Sequence, residues 1–77
     1  MRHRYDPEAD AIYIILSDKP YAFGEDLDHE RRIDYAADGT PIGVELTCVS
    51  AGVDVDNLPE KGQIIALLES LKIKAYA

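Results

Sequence analysis

Seventy-seven residues, 47% hydrophobic and 30% charged, make one small globular domain near the lower limit for folding without staples, and leave no room for a second. Fifteen acidic against eight basic side chains give a net charge of −7, a field that repels phosphate backbones and anionic lipid, so nucleic acid and membrane are disfavoured as partners and a basic protein surface is favoured. The single cysteine, Cys48, supplies no disulfide framework, and neither a leader-type apolar segment after Arg2-His3-Arg4 nor a membrane-length run occurs, which places the chain in a bacterial-type cytoplasm.

Met1 to Tyr5 reads as a short first strand, over about residues 2–5, joined through the turn Asp6-Pro7-Glu8-Ala9-Asp10 to a second over 11–17. In that turn Pro7 pushes Asp6 to extended geometry and the Asp6 carboxylate can accept from the backbone just ahead. In the second strand Ile12, Ile14 and Leu16 share one face and Ala11, Tyr13 and Ile15 the other, so both faces are apolar. Ser17-Asp18-Lys19-Pro20 ends it, and a poorer strand follows over 21–27, with Tyr21, Phe23 and Leu27 on one side and Gly24 suggesting a bulge or bend. The charged Asp28 to Arg32 suits an exposed connection or strand edge.

A one-sided strand over 31–36 and a cleanly alternating one over 41–49 flank Asp38-Gly39, the strongest hairpin signal in the chain. Ile42, Val44, Leu46 and Cys48 form the inner face of the latter, which makes Cys48 a buried hydrophobe. Ser50 to Asn57 reads as a connection. Asn57 and Glu60 have capping-box spacing, and Ile64, Leu67, Leu68 and Leu71 recur at helical period, predicting an amphipathic helix over about 59–71. A short strand over 73–76 then returns toward the sheet edge. The expected fold is α+β: a small antiparallel sheet of four or five hairpin-connected strands with one C-terminal helix packed on one face.

No pattern calls for a cofactor or a metal ion. The Asp6-x-Glu8-x-Asp10 series lacks the glycine and the distal glutamate of a calcium loop, and Asp54-x-Asp56 meets Pro59 and Ile65 where such a loop needs Gly and Glu. His3 and His29 have no zinc spacing with Cys48, and the glycines and serines lie outside any phosphate-loop or nucleophile-elbow context. Asp34 and Glu45, on adjacent arms of one hairpin, are the pair that could serve as acid and base in a small hydrolase; as plain structure they are solvated-face carboxylates balanced by Arg31, Arg32 or Lys74.

Tyr5-Asp6-Pro7-Glu8-Ala9-Asp10-Ala11 with Tyr13-Ile14, then Ile33-Asp34-Tyr35, Asp38-Gly39 and Ile42-Gly43-Val44-Glu45-Leu46, resembles the small prokaryotic family known as domain of unknown function 2283, over roughly residues 4–49. The resemblance implies an antiparallel sheet with a helix and brings no established activity or catalytic residue. Genes of that family neighbour small toxin-like proteins in some cases, which implies an antitoxin or partner-binding role.

The leading functional expectation is therefore an acidic protein-binding module, and the alternatives are the Asp34/Glu45 hydrolase and a homo-oligomeric structural unit. One short helix covers one sheet face, whereas the strand from Ala11 is apolar on both. Tyr13 and Ile15 are thus the expected interface residues, completed by a second copy or a basic protein.

Overall fold

The computed structural model describes all 77 residues. Five strands, β1 (His3–Asp6), β2 (Ala11–Ile15), β3 (Phe23–Asp26), β4 (Arg31–Tyr35) and β5 (Pro41–Thr47), form one antiparallel sheet in the order β1-β2-β5-β4-β3. A 3-10 turn (Val49–Ala51) leads to β6 (Val53–Asp54), helix α1 (Lys61–Ser70) and β7 (Ala75–Tyr76). The fold is α+β, with the small parallel pair β6-β7 beside the main sheet.

Each hairpin is set by a short acid. Asp6 Oδ1 accepts from the amides of Glu8 and Ala9, at 3.1 and 3.2 Å, between β1 and β2. Asp28 Oδ1 accepts from Glu30 N at 2.9 Å between β3 and β4, and Asp38 Oδ1 from Thr40 N at 2.9 Å between β4 and β5. Gly39 takes φ 87°, which its missing Cβ makes inexpensive. The joining of β2 to β5 is the non-local step. The loop from Leu16 to Ala22 crosses the end of the sheet, with Leu16 and Ser17 donating to Ile42 O, and Lys19 Nζ bonding Asp38 Oδ2 at 2.7 Å and Thr40 Oγ1 at 3.1 Å.

Register decides the faces. Ile12 stands opposite Leu46, and Ile14 opposite Val44, which faces Ile33 on its other side. This inner layer meets Val49, Val53, Val55, Leu58, Ile64, Leu68 and Ile73, and the twelve residues form one buried cluster. Arg31 ties the C-terminal segment to the sheet: its Nη1 donates to the carbonyls of Asp54 and Asp56 at 3.0 and 2.6 Å, and its Nε to Asp28 Oδ2 at 2.8 Å.

Several details depart from the sequence expectations. Cys48 continues the period of Ile42, Val44 and Leu46, yet it is exposed, because the chain turns left-handed there (φ 54°) and sends Val49 into the core instead. The capping box is not made: seating Leu58 in the core takes Asn57 and Glu60 into left-handed conformation (φ 66° and 53°), and no side chain caps the first amides of α1. Residues 75–76 pair with β6 in parallel rather than rejoining the main sheet, since Lys72 (φ 61°) reverses the chain and buries Ile73 under it. The register irregularity lies at Asp34/Tyr35 against β5, not at Gly24.

Candidate functional site

The helix and its flanking turns occupy the inner face of the sheet, so the outer face is open. One cross-strand row on it reads Arg4, Tyr13, Glu45, Arg32, Asp26, from β1 through β2, β5 and β4 to β3. The next row reads Ile15, Gly43, Asp34, Gly24. Two large side chains of the first row lie over the two glycines of the second. A Cβ on Gly43 would sit 2.0 Å from the Tyr13 hydroxyl, and one on Gly24 would sit 2.3 Å from Arg32 Nη2.

These seats lock a polar lattice. The Tyr13 hydroxyl donates to Asp34 Oδ2 at 2.9 Å, while Arg32 approaches Asp34 Oδ1 at 3.4 Å through Nε and Asp26 Oδ1 at 3.0 Å through Nη1. Desolvation of the ring and the hydrogen bond to Asp34 push the Tyr13 phenol up to about 12, with the charges of Asp34 and Glu45 adding to the rise. The Arg32 guanidinium is raised by its bonds to Asp26 and Tyr21, so it stays a fixed cation.

Tyr13 and Ile15, the expected interface residues, lie together on this open face, both half-buried. Tyr13 is immobilised by Gly43 beneath and Asp34 beside it, and a shallow groove of about 280 Å³ runs past it, lined by Arg4, Ala11, Glu45 and Thr47 among others. Asp34 and Glu45 share the face, but Arg32 and Tyr13 occupy the ground between them, and both Asp34 oxygens are engaged. Each surface concavity holds at most one of Asp34, Glu45, His3 and His29. Of the balancing cations expected for Asp34, Arg32 is the one present, and Arg31 turns to the opposite side to hold the C-terminal segment.

No group of three or more His, Cys, Asp or Glu side chains is arranged to hold a metal ion. The Cys48 thiol is pushed up, first by the Glu30 carboxylate, and is therefore a weak nucleophile at neutral pH. Sequence reasoning missed Gly43, and it offered Arg32 as one of three cations balancing Asp34 and Glu45 without its seat over Gly24. A lone glycine inside a cleanly alternating strand was the signal available for Gly43, because such a glycine marks a close approach. The alternation of Ile33 and Tyr35 with Arg32 and Asp34 sets Arg32 on the face of Asp34 and Arg31 on the other.

No helix is long and apolar enough to cross a membrane. The model of the family described as protein of unknown function, DUF2283, matches residues 2–50, and the chain belongs to that family. No curated protein and no solved structure matches it.

Proposed function

We propose that the chain is an acidic protein-binding module, antitoxin-like or accessory in role, that masks a basic partner with the open face of its sheet. The observation that carries this reading is the outer face itself: five strands wide, uncovered by any element of the chain, and rigid at its centre where Tyr13 is held on Gly43. A tyrosine fixed before contact offers area and a polar tip with little ordering cost, which suits an anchor. The net charge of −7 favours a basic surface opposite it. The hydrolase reading has less support, because the Asp34 carboxylate is occupied by Tyr13 and Arg32 and shares no cavity with Glu45.

The test is affinity purification from the native host, identification of the captured protein, and measurement of the purified pair. The expected partner is basic. Tyr13→Asp and Ile15→Lys should weaken its binding at least about tenfold, as for central anchors, while Asp34→Asn and Glu45→Gln leave affinity within a few-fold. Binding that ignores Tyr13 and Ile15 but fails with Asp34→Asn and Glu45→Gln would transfer the role to the carboxylate pair.

A further inference from the structure

The two edges of the sheet differ in a way that the open face does not use. β1 and β3 each have a neighbour on one side only. β1 carries Arg4 on the open face and His3 and Tyr5 on the helix side, since they stand opposite Tyr13, Ile14 and Ile12. β3 carries Asp26 on the open face, opposite Arg32, and Glu25 on the helix side, opposite Ile33. Apolar side chains accompany both edges. Met1 and Tyr5 are exposed at one, and Phe23 and Leu27 at the other. Arg4 and Glu25 are also strand charges with no ion pair within the chain.

Four antiparallel steps separate the edges, so β1 and β3 run in the same direction. A second copy laid beside the first without being turned over therefore brings its β1 alongside β3 as a parallel strand, with both helices on the same side. In one register Arg4 falls beside Asp26 on the open face and His3 beside Glu25 on the other, and Met1 and Tyr5 meet Phe23 and Leu27. The same register sets Asp6 beside Asp28 at the end of the joint, where the ion pair of Arg31 with Asp28 offsets one of the two charges. A two-fold contact of β3 with β3 would instead bring two copies of the Glu25-Asp26 edge together, and like charges set against each other are destabilising across strands.

We infer that the β1 edge of one copy, through Arg4 and His3, docks on the acidic β3 edge of the next, extending the sheet head to tail. This goes beyond the partner proposed for the open face and does not depend on it. The contact is heterologous, so it builds a ring or a short filament rather than a closed pair. Strand addition supplies main-chain hydrogen bonds while the alternating side chains supply the match. Two four-residue edges bury little area, which makes the association weak, concentration-dependent and sensitive to salt.

Sedimentation equilibrium over a rising concentration series tests it, with wild type, Arg4→Glu and Glu25→Lys. Both substituted side chains are exposed and unpaired within the chain, and circular dichroism checks that the fold is kept. The wild type should grow past dimer and fall back in high salt, and each variant alone should associate about tenfold or more weakly, Arg4→Glu because it sets two carboxylates together at the joint and Glu25→Lys because it removes the acid beside His3. Mixed, the variants should form a one-to-one complex that stops there, because Arg4→Glu retains a good β3 and Glu25→Lys a good β1. A wild type that stays monomeric throughout overturns the inference and leaves β3 to an edge strand of another protein. Arg4→Glu associating as well as wild type overturns it in favour of two-fold β3 pairing. Ile15→Lys, aimed at the open face, should leave the association in place, so this result and that of the proposed function separate.

Discussion

The inner and outer faces of the same five strands are stabilised by opposite means. Inside, Ile12, Ile14, Ile33, Val44 and Leu46 bury their side chains completely or nearly so against a layer supplied largely after residue 50. Outside, no layer is supplied. There, two glycines let Tyr13 and Arg32 lie down on the sheet, and Asp34 and Asp26 bind the two in place. The difference teaches that a strand apolar on both faces need not be covered on both: an aromatic ring can cover the backbone of its neighbour and keep its polar end in a surface lattice.

The largest effect should come from breaking the inner side. Leu68, on α1, is wholly buried, and Leu68→Ala should cost about 2–5 kcal/mol through lost transfer energy and an unfilled cavity. In a chain this size that is a large part of the total, because small domains have only ~5–15 kcal/mol to lose. Chemical denaturation measures it, and a shift under about 1 kcal/mol would mean that α1 does not carry the inner face.

Next comes the seat under Tyr13. In Gly43→Ala the new methyl group takes the position of the phenol oxygen, so the ring must swing out and the bond to Asp34 break. A cost of about 1–3 kcal/mol is expected, the usual range for forcing atoms into a filled site. Gly24→Ala should cost less, because the group displaced is the far end of a flexible arginine that is partly in water. Equal effects at the two glycines would show that the Tyr13 seat is not special.

Much of this contrast was legible in the residues. The alternation of Ile42, Val44 and Leu46 against Gly43, Glu45 and Thr47 marks the inner face of β5, the Asp-Gly pair marks its hairpin, and the helical period of Ile64, Leu67, Leu68 and Leu71 marks the cover. The joining of β2 to β5 was not legible, since it depends on a loop crossing the sheet end under the hold of Lys19 on Asp38 and Thr40. Nor was the lattice. Tyr13 and Asp34 are 21 residues apart and meet only when both lie next to β5. The left-handed residues Cys48, Glu60 and Lys72 carry side chains that give little warning of positive φ, Asn57 is of a type that enters that region readily, and each of the four shifted an element end.

Tyr13→Phe isolates the lattice from the seat, because the ring stays over Gly43 and only the hydroxyl is lost. About 1 kcal/mol is the expected cost, the net worth of an ordinary hydrogen bond. The sharper readout is titration. With its phenol near 12, Tyr13 should ionise late in an alkaline absorbance titration of the five tyrosines, and that late step should vanish in Tyr13→Phe and in Gly43→Ala. The sign follows from linkage: an unfolded tyrosine ionises near 10, so the contribution to stability is complete below that pH and is lost as pH rises through about 12.

The smallest effect belongs to Cys48, where the inner-face period stops. If the alternation of β5 governed this residue it would be packed, and Cys48→Ser would place a hydroxyl in the core at a cost of about 1–3 kcal/mol. The backbone turns it outward instead, so Cys48→Ser should shift stability by less than about 0.5 kcal/mol, the range of ordinary surface changes. Its chemistry sharpens the point. An exposed thiol is reachable by a water-soluble disulfide reagent, but the Glu30 carboxylate and the nearby negative charge of Asp10 raise its pKa. Thiolate is the reacting form, so modification should go to completion without unfolding, slowly at neutral pH, and faster with each step of pH beyond the ordinary cysteine value of about 8.5. Glu30→Gln should lower that profile and speed the reaction at neutral pH, whereas a thiol that reacts only after denaturation would return Cys48 to the inner face.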